Sequence, residues 1–331
     1  MIIDLTTTTF PIPTDESWNI LDSSKLNTYL NCPRRFFYEY LLGWRQDYPN
    51  NHLIFGEAWH DAMEFLLVAG VKPENLKPAF ETFLATYRKR LGPETDEQYF
   101  PKDPSNAATA LTEYITLYQG EPFTVLHTEV GVRVPLNEED CIVGRIDAIV
   151  SVTQGKIWFF DHKTGSRLDR TWESQWDMSL QMGTYLHALH CCFNPNDIGG
   201  GIINGVFFQK GENKFRRKPV QKSLELLNAW LWNVNEWLKD LKTDMARLAD
   251  AHPISSPVLG AFRQNTQSCT KYFGCPFAPF CSSWANPLAF VNEGPPPGFK
   301  VEFWNPEARE KPARVLLTLK GITTNERNTT V

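Results

Sequence analysis

No run of about 18 apolar residues occurs along the 331-residue chain, so nothing predicts a membrane-crossing helix. The amino terminus, "MIIDLTTTTFPIPTDESW", lacks the basic stretch and apolar core of a signal peptide. Both absences predict a cytoplasmic protein with no membrane partner. An excess of positive charge is missing too. Lys plus Arg total 33 against 38 Asp plus Glu, a formal charge of -5, so an anionic polymer would need a local basic patch to bind. There is no G-x-x-x-x-G-K-[ST] phosphate loop, which argues against ATP-driven work. Internal repeats are absent, and so are the close C-x-x-C pairs of most structural zinc sites.

What is present is a chain that is 42% hydrophobic, ample for a globular core. Ser23 or Ser24 reads as the cap of a first helix whose apolar residues Leu26, Leu30 and Phe37 recur at helical spacing. Further helices are predicted at about 53–69, 76–91 and 106–119. From Phe123 to Lys163 the period changes to three strands, after which "ESQWDMSLQMGTYLHALHCC" is helical again. "GIINGVFFQ" and "KFRRKPVQ" read as two more strands around a turn at 210–213, and a long helix follows at about 221–251. A Cys-, Pro- and aromatic-rich segment, "GPPPG" and a polar tail close the chain. Seven cysteines in a reducing compartment suggest metal binding where they cluster and packing where they scatter. Cys141, Cys191 and Cys192 read as packing.

The segment "VGRIDAIVSVTQGKIWFFDHKTG", residues 143–165, reads as a core hairpin carrying charge. Asp161 and Lys163 share one face of the second strand. If Thr153, Gln154 and Gly155 form a three-residue loop with Gly155 left-handed, Val152 pairs with Lys156 and Asp147 comes opposite Asp161. Two facing buried carboxylates repel, so something must compensate. A divalent cation with hard oxygen ligands, Mg²⁺ or Mn²⁺, would do so. Neutralisation by Lys163 and Arg145 in a structural ion-pair cluster would also do so, and the hairpin alone favours neither.

"GRID", thirteen residues and "DHK" resemble the PD-(D/E)XK nuclease superfamily, in particular its RecB-type exonuclease branch. Around this hairpin stand "FGEAWHDAMEF" with His60, "HTEVGVRVPL" with Glu129, and "LQMGTYLHAL" with Gln181 and Tyr185, in the order that branch requires. "NCPRRFFYEY" with Cys32 and "SCTKYFGCPFAPFC" with Cys269, Cys275 and Cys281 resemble the iron–sulfur nucleases of the AddB-type and CRISPR-associated kinds. The spacing of Cys269 and Cys275 departs from the commoner pattern.

The resemblance covers about residues 20–285, leaving a leader at 1–19 and a Pro-rich linker and polar tail at 286–331. It implies an α/β, restriction-endonuclease-like core: a short mixed sheet flanked by helices, with a helical amino-terminal part and a cysteine-held iron–sulfur staple. It implies Mg²⁺ or Mn²⁺ held by His60, Asp147, Asp161 and the His162 carbonyl, with Lys163 acting on the attacking water or the developing charge. Glu129 would act behind this site or on a second metal, and Gln181 and Tyr185 would reach substrate or brace Lys163. Cys32, Cys269, Cys275 and Cys281 would hold a [4Fe–4S] cluster, with a Cys₄ zinc site as the rival.

The expected activity is exonucleolytic hydrolysis of single-stranded DNA or DNA ends, in recombination, repair or phage- and CRISPR-type processing. A helicase or recombination protein is an expected partner, since this chain should not unwind duplex itself. The alternatives are a non-catalytic DNA-end-binding or recombination-assembly module and a restriction-type endonuclease. Lys210, Lys214, Arg216 and Arg217, with Lys218 and Lys222, form a local basic patch that could track phosphates, although such runs are usually solvated faces.

Overall fold

The computed structural model describes residues 3–152, 155–271, 274–308, 315–318 and 321–324. Thr153 and Gln154 of the hairpin loop therefore lie outside the described residues. The first helix, α1 (Ser23–Asn31), is capped by Asp22, whose side chain accepts the Lys25 N–H, in place of the expected serine. It also stops earlier than its apolar period implies. Cys32 is extended, at φ −162° and ψ 106°, and the chain restarts as α2 (Pro33–Phe36). The cause is Pro33, whose ring disfavours helical dihedrals in the residue before it.

The chain divides into two compact units. One comprises 1–48, 133–144 and 225–312; the other comprises 49–132, 145–224 and 313–331. In the first, β1 (Trp44–Gln46) pairs antiparallel with β7 (Phe299–Val301). The long helix α9 (Leu224–Ala249) and the short α10 (Ala278–Ser283) supply most of its remaining regular structure. Tyr38 stacks on both Trp44 and Phe277, at 5.5 and 5.2 Å between ring centres, which gives this unit an aromatic core.

The second unit holds α3 (Asn51–Ala69), α4 (Leu76–Tyr87), α5 (Asp96–Tyr99) and α6 (Pro104–Tyr118), then α7 (Arg170–Ser174) and α8 (Leu180–Cys192). Phe55, Trp59, Phe83 and Tyr114 from these helices pack with Val206 and Phe208 of the sheet. That sheet has five strands between residues 123 and 220: β2 (Phe123–Pro135), β3 (Cys141–Val152), β4 (Ile157–Gly165), β5 (Ile198–Phe208) and β6 (Asn213–Val220).

Two short strands from the region expected as linker and tail, β8 (Val315–Thr318) and β9 (Gly321–Thr324), extend the sheet to the order β6-β5-β4-β3-β2-β8-β9. β4 runs antiparallel to β3 and parallel to β5, the mixed α/β arrangement that a restriction-endonuclease-like core requires. β5 is nearly apolar because both its faces are covered. At Gly201 a Cβ would stand 1.9 Å from the Phe159 ring, so glycine there lets the parallel neighbours close up. No described helix is long and apolar enough to cross a membrane.

Candidate active site

The β3–β4 ladder follows the expected register. The Val152 N–H donates to the Lys156 carbonyl at 3.0 Å, Gly155 has φ +75°, and pairs run from Ser151–Ile157 to Ala148–Phe160. In this register the even-numbered residues of β4 direct their N–H groups at β3, so His162 should donate to the Ile146 carbonyl. It donates instead to Asp147 Oδ2, at 2.6 Å. The strands part at this step, and the Asp147 carboxylate takes the backbone's place. A hairpin whose middle, Ala148–Val150 against Phe159 and Phe160, is buried apolar core thereby opens at its base around two acids.

The second acid, Asp161, is only 1% exposed. Lys163 Nζ lies 2.7 Å from its Oδ2. That short ion pair is the contact this buried oxygen makes. Burial raises the Asp161 carboxyl to about 6; Lys163 opposes the rise and the charge of Asp147 adds to it.

Asp147 moves the other way. Burial would raise it too, but the neighbouring His60, His162 and Lys163 outweigh that and hold it below the usual carboxylate range. His60, half-buried on α3, brings Nδ1 to 3.3 Å from Asp147 Oδ2. Burial disfavours its charged form, and Asp147 more than reverses the effect, so its net shift is upward. Neighbouring carboxylates with pKa values driven apart are a signature of functional sites.

Glu129 on β2 sits at φ +49°, a conformation that costs a non-glycine residue on the order of 1 kcal/mol or more. Its carboxylate is buried, 3.3 Å from Arg145 Nη1. Burial, then Asp147 and Glu64, push it upward, and Arg145 opposes them. On α8 the Gln181 amide donates to the Tyr185 hydroxyl at 2.9 Å, and that hydroxyl donates to the Arg145 carbonyl. The pair braces the strand carrying Asp147.

Sequence reasoning missed Asn204, Tyr114 and Glu121. Asn204 lies level with His162 on one side and Arg217 on the other, so the three share one face of the sheet. The signal was a lone asparagine inside the apolar run "GIINGVFF", since a buried polar group needs partners. Arg217 stacks 3.9 Å over the Tyr118 ring and pairs with Glu121. Of the other basic residues of the late hairpin, Lys214 is 2.9 Å from Glu212, Arg216 is 2.6 Å from Glu173, and Lys210 is exposed in the turn.

The donor set suits Mg²⁺ or Mn²⁺: two buried carboxylates, an imidazole and a cation alongside. Among the described residues no three His, Cys, Asp or Glu side chains converge as a closed site. Mg²⁺ commonly uses one or two carboxylates and completes its shell with water and phosphate oxygens.

In the other unit, Cys32, Cys269, Cys275 and Cys281 all line one cavity of about 330 Å³. All four are free thiols, and they too form no closed metal site. Cys32 reaches the cavity from the break before Pro33. Burial raises the Cys281 thiol to about 11 against the pull of the Arg34 guanidinium. Tyr272 and Phe273, between Cys269 and Cys275, lie outside the described residues.

The model of the PD-(D/E)XK nuclease superfamily matches residues 23–282. No curated protein matches the chain. A solved structure titled "Crystal structure of SSO0001" is 14% identical, with 69% of this chain and 78% of that chain covered at a TM-score of 0.31, a likeness too loose to bear on the fold or the chemistry.

Proposed function

Since the chain belongs to the PD-(D/E)XK nuclease superfamily, we propose that this nuclease hydrolyses DNA phosphodiesters with Mg²⁺ or Mn²⁺, acting as an exonuclease on single strands or ends. The observation that carries the reading is the parted ladder, where Asp147 and Asp161 are buried side by side with Lys163 and His60 against them. Burial drives the Asp161 carboxyl up to about 6 even with Lys163 beside it, and a bound divalent cation would relieve that cost.

Asp147, Asp161, His60 and the His162 carbonyl would hold the cation, which when bound acidifies water and offsets charge on the scissile phosphate. Lys163, a fixed cation beside Asp161, orients the attacking water or the phosphate oxygen by charge-assisted hydrogen bonding. Glu129 and Arg145 form a pair behind Asp147, and Tyr185 holds the Arg145 carbonyl in place. The four thiols line one volume without closing on a point, which suits a [4Fe–4S] cluster better than a single zinc ion. Such a cluster would fasten Cys32 to the segment 269–281. Lys210, Lys214 and Arg216 remain candidates for phosphate contact.

The test is a time course on end-labelled linear single-stranded DNA and on closed single-stranded circles, with Mn²⁺, Mg²⁺ or EDTA. Digestion of linears with circles spared supports an exonuclease. Equal rates on the two mean an endonuclease. No cleavage by folded, metal-supplied protein leaves the non-catalytic DNA-end-binding reading.

A further inference from the structure

Across three adjacent strands, His162, Asn204 and Arg217 stand in consecutive register on one face. Arg217 Nε donates to Asn204 Oδ1 at 3.1 Å, and Asn204 Nδ2 lies 2.9 Å from His162 Nδ1 and 2.9 Å from the Tyr114 hydroxyl. Arginine has only donors, so it settles which end of the amide is oxygen. The opposite orientation would set two donors against each other. With that end fixed, the amide must give a proton to the imidazole, and Nδ1 must be a bare acceptor. Arg217 is itself held by Glu121, by the Tyr114 hydroxyl at 3.2 Å and by stacking on Tyr118. At the far end of the row, the peptide N–H of His162 holds Asp147 Oδ2.

We infer that Arg217 and Asn204 are positioning residues: they lock His162 in its neutral, Nε2-protonated tautomer and so fix the peptide that holds Asp147. In this role Arg217 does not contact DNA. The kinetic part rests on the nuclease reading; the tautomer part does not. Each link removes a rotation. The amide cannot flip, the ring cannot turn about its axis, and the β4 backbone at the parted step stays in register. A lysine at 217 would keep the charge and lose the flat, multi-donor fit to Asn204, Tyr114 and Glu121.

The experiment is long-range ¹H–¹⁵N spectroscopy of the histidine rings in the full-length protein with EDTA, at neutral pH. His162 should show a protonated Nε2 and an unprotonated Nδ1. In Asn204→Asp, which offers the ring only acceptors, the proton should move to Nδ1. In a metal-supplied DNA assay, Arg217→Lys and Asn204→Asp should each lower kcat by roughly tenfold or more, with KM for DNA unchanged. Should Arg217→Lys prove unstable, Arg217→Gln provides the same readouts. A protonated Nδ1 in the parent protein overturns the tautomer assignment. Full kcat in Arg217→Lys overturns the positioning role, and a raised KM with a reduced salt dependence in Arg217→Gln makes Arg217 a phosphate contact. If the parent protein cleaves nothing, the spectra still decide the tautomer, and only the nuclease reading has failed.

Discussion

Replacing Asp161 with asparagine should abolish cleavage and at the same time stabilise the metal-free protein. Folding raises this carboxyl from the ordinary 3.8 to about 6. An acid whose pKa rises on folding is a liability wherever it is ionised. Above pH 6 the native state carries the full cost, which disappears as pH falls below about 4, where native and unfolded chains are both protonated. A shift of about two units corresponds to roughly 3 kcal/mol. Asparagine keeps the shape without the charge. Lys163 loses its partner but is 24% exposed and can turn to solvent. Asp161→Asn should therefore gain up to about 3 kcal/mol at pH 7 in EDTA, or roughly 6 to 12 °C in a unit of this size. The gain should vanish near pH 4. Adding Mn²⁺ should restore the parent's stability by mass action and leave the variant unmoved. Thermal melts of both proteins at the two pH values, with and without metal, measure all of this. A variant less stable than its parent at pH 7 in EDTA would refute the reasoning, because Asp161 would then be a net stabilising ion pair.

His60→Ala should weaken Mn²⁺ binding in calorimetry by roughly tenfold or more with a far smaller change in melting temperature; unchanged affinity would make it an ordinary histidine. Protein purified without oxygen should be brown with about four iron per chain, and Cys32→Ser should lose the colour and melt several degrees lower; stoichiometric zinc without iron would replace the cluster. Burial alone lowers Lys102 from 10.5 to about 8, so its protonated form costs stability below pH 8, and the cost is relieved as pH rises toward 10.5. The stability of Lys102→Met relative to the parent should accordingly fall by up to about 3 kcal/mol between pH 7 and pH 10 in denaturant titrations; a pH-independent difference would mean that Lys102 reaches water.

The hairpin was readable because its information is local. Loop length and Gly155 set the register, and the register set Asp147 beside Asp161. The four cysteines, with their Pro- and Gly-rich surroundings, pointed to one another without a structure. The row through Asn204 was not readable. It depends on how β5 and β6 align with β4, and Arg217 looked in sequence like one more member of a charged patch. Glu129 could be named from its motif, but a strand pattern gives no hint of a left-handed backbone. The break at Cys32 was legible in "NCPRR", yet the helical period running through it outweighed the proline in the reading. The strands at 315–318 and 321–324 were hidden by their polar context.

The unit holding the four thiols is assembled from stretches at 1–48, 133–144 and 225–312, which has a consequence for the nascent chain. Ribosomes deliver residues in order at about 5–20 per second, so Cys32 emerges on the order of ten to fifty seconds before Cys269. For that interval its thiol has no cavity to occupy, while nearly all the strands and helices of the other unit are already outside the tunnel. Any metallocentre on these cysteines must be installed after that point, as the closing event of biogenesis. Oxidative capture of Cys32 by glutathione or a stray thiol during the wait would produce a chain with the other unit intact and an unclosable clasp.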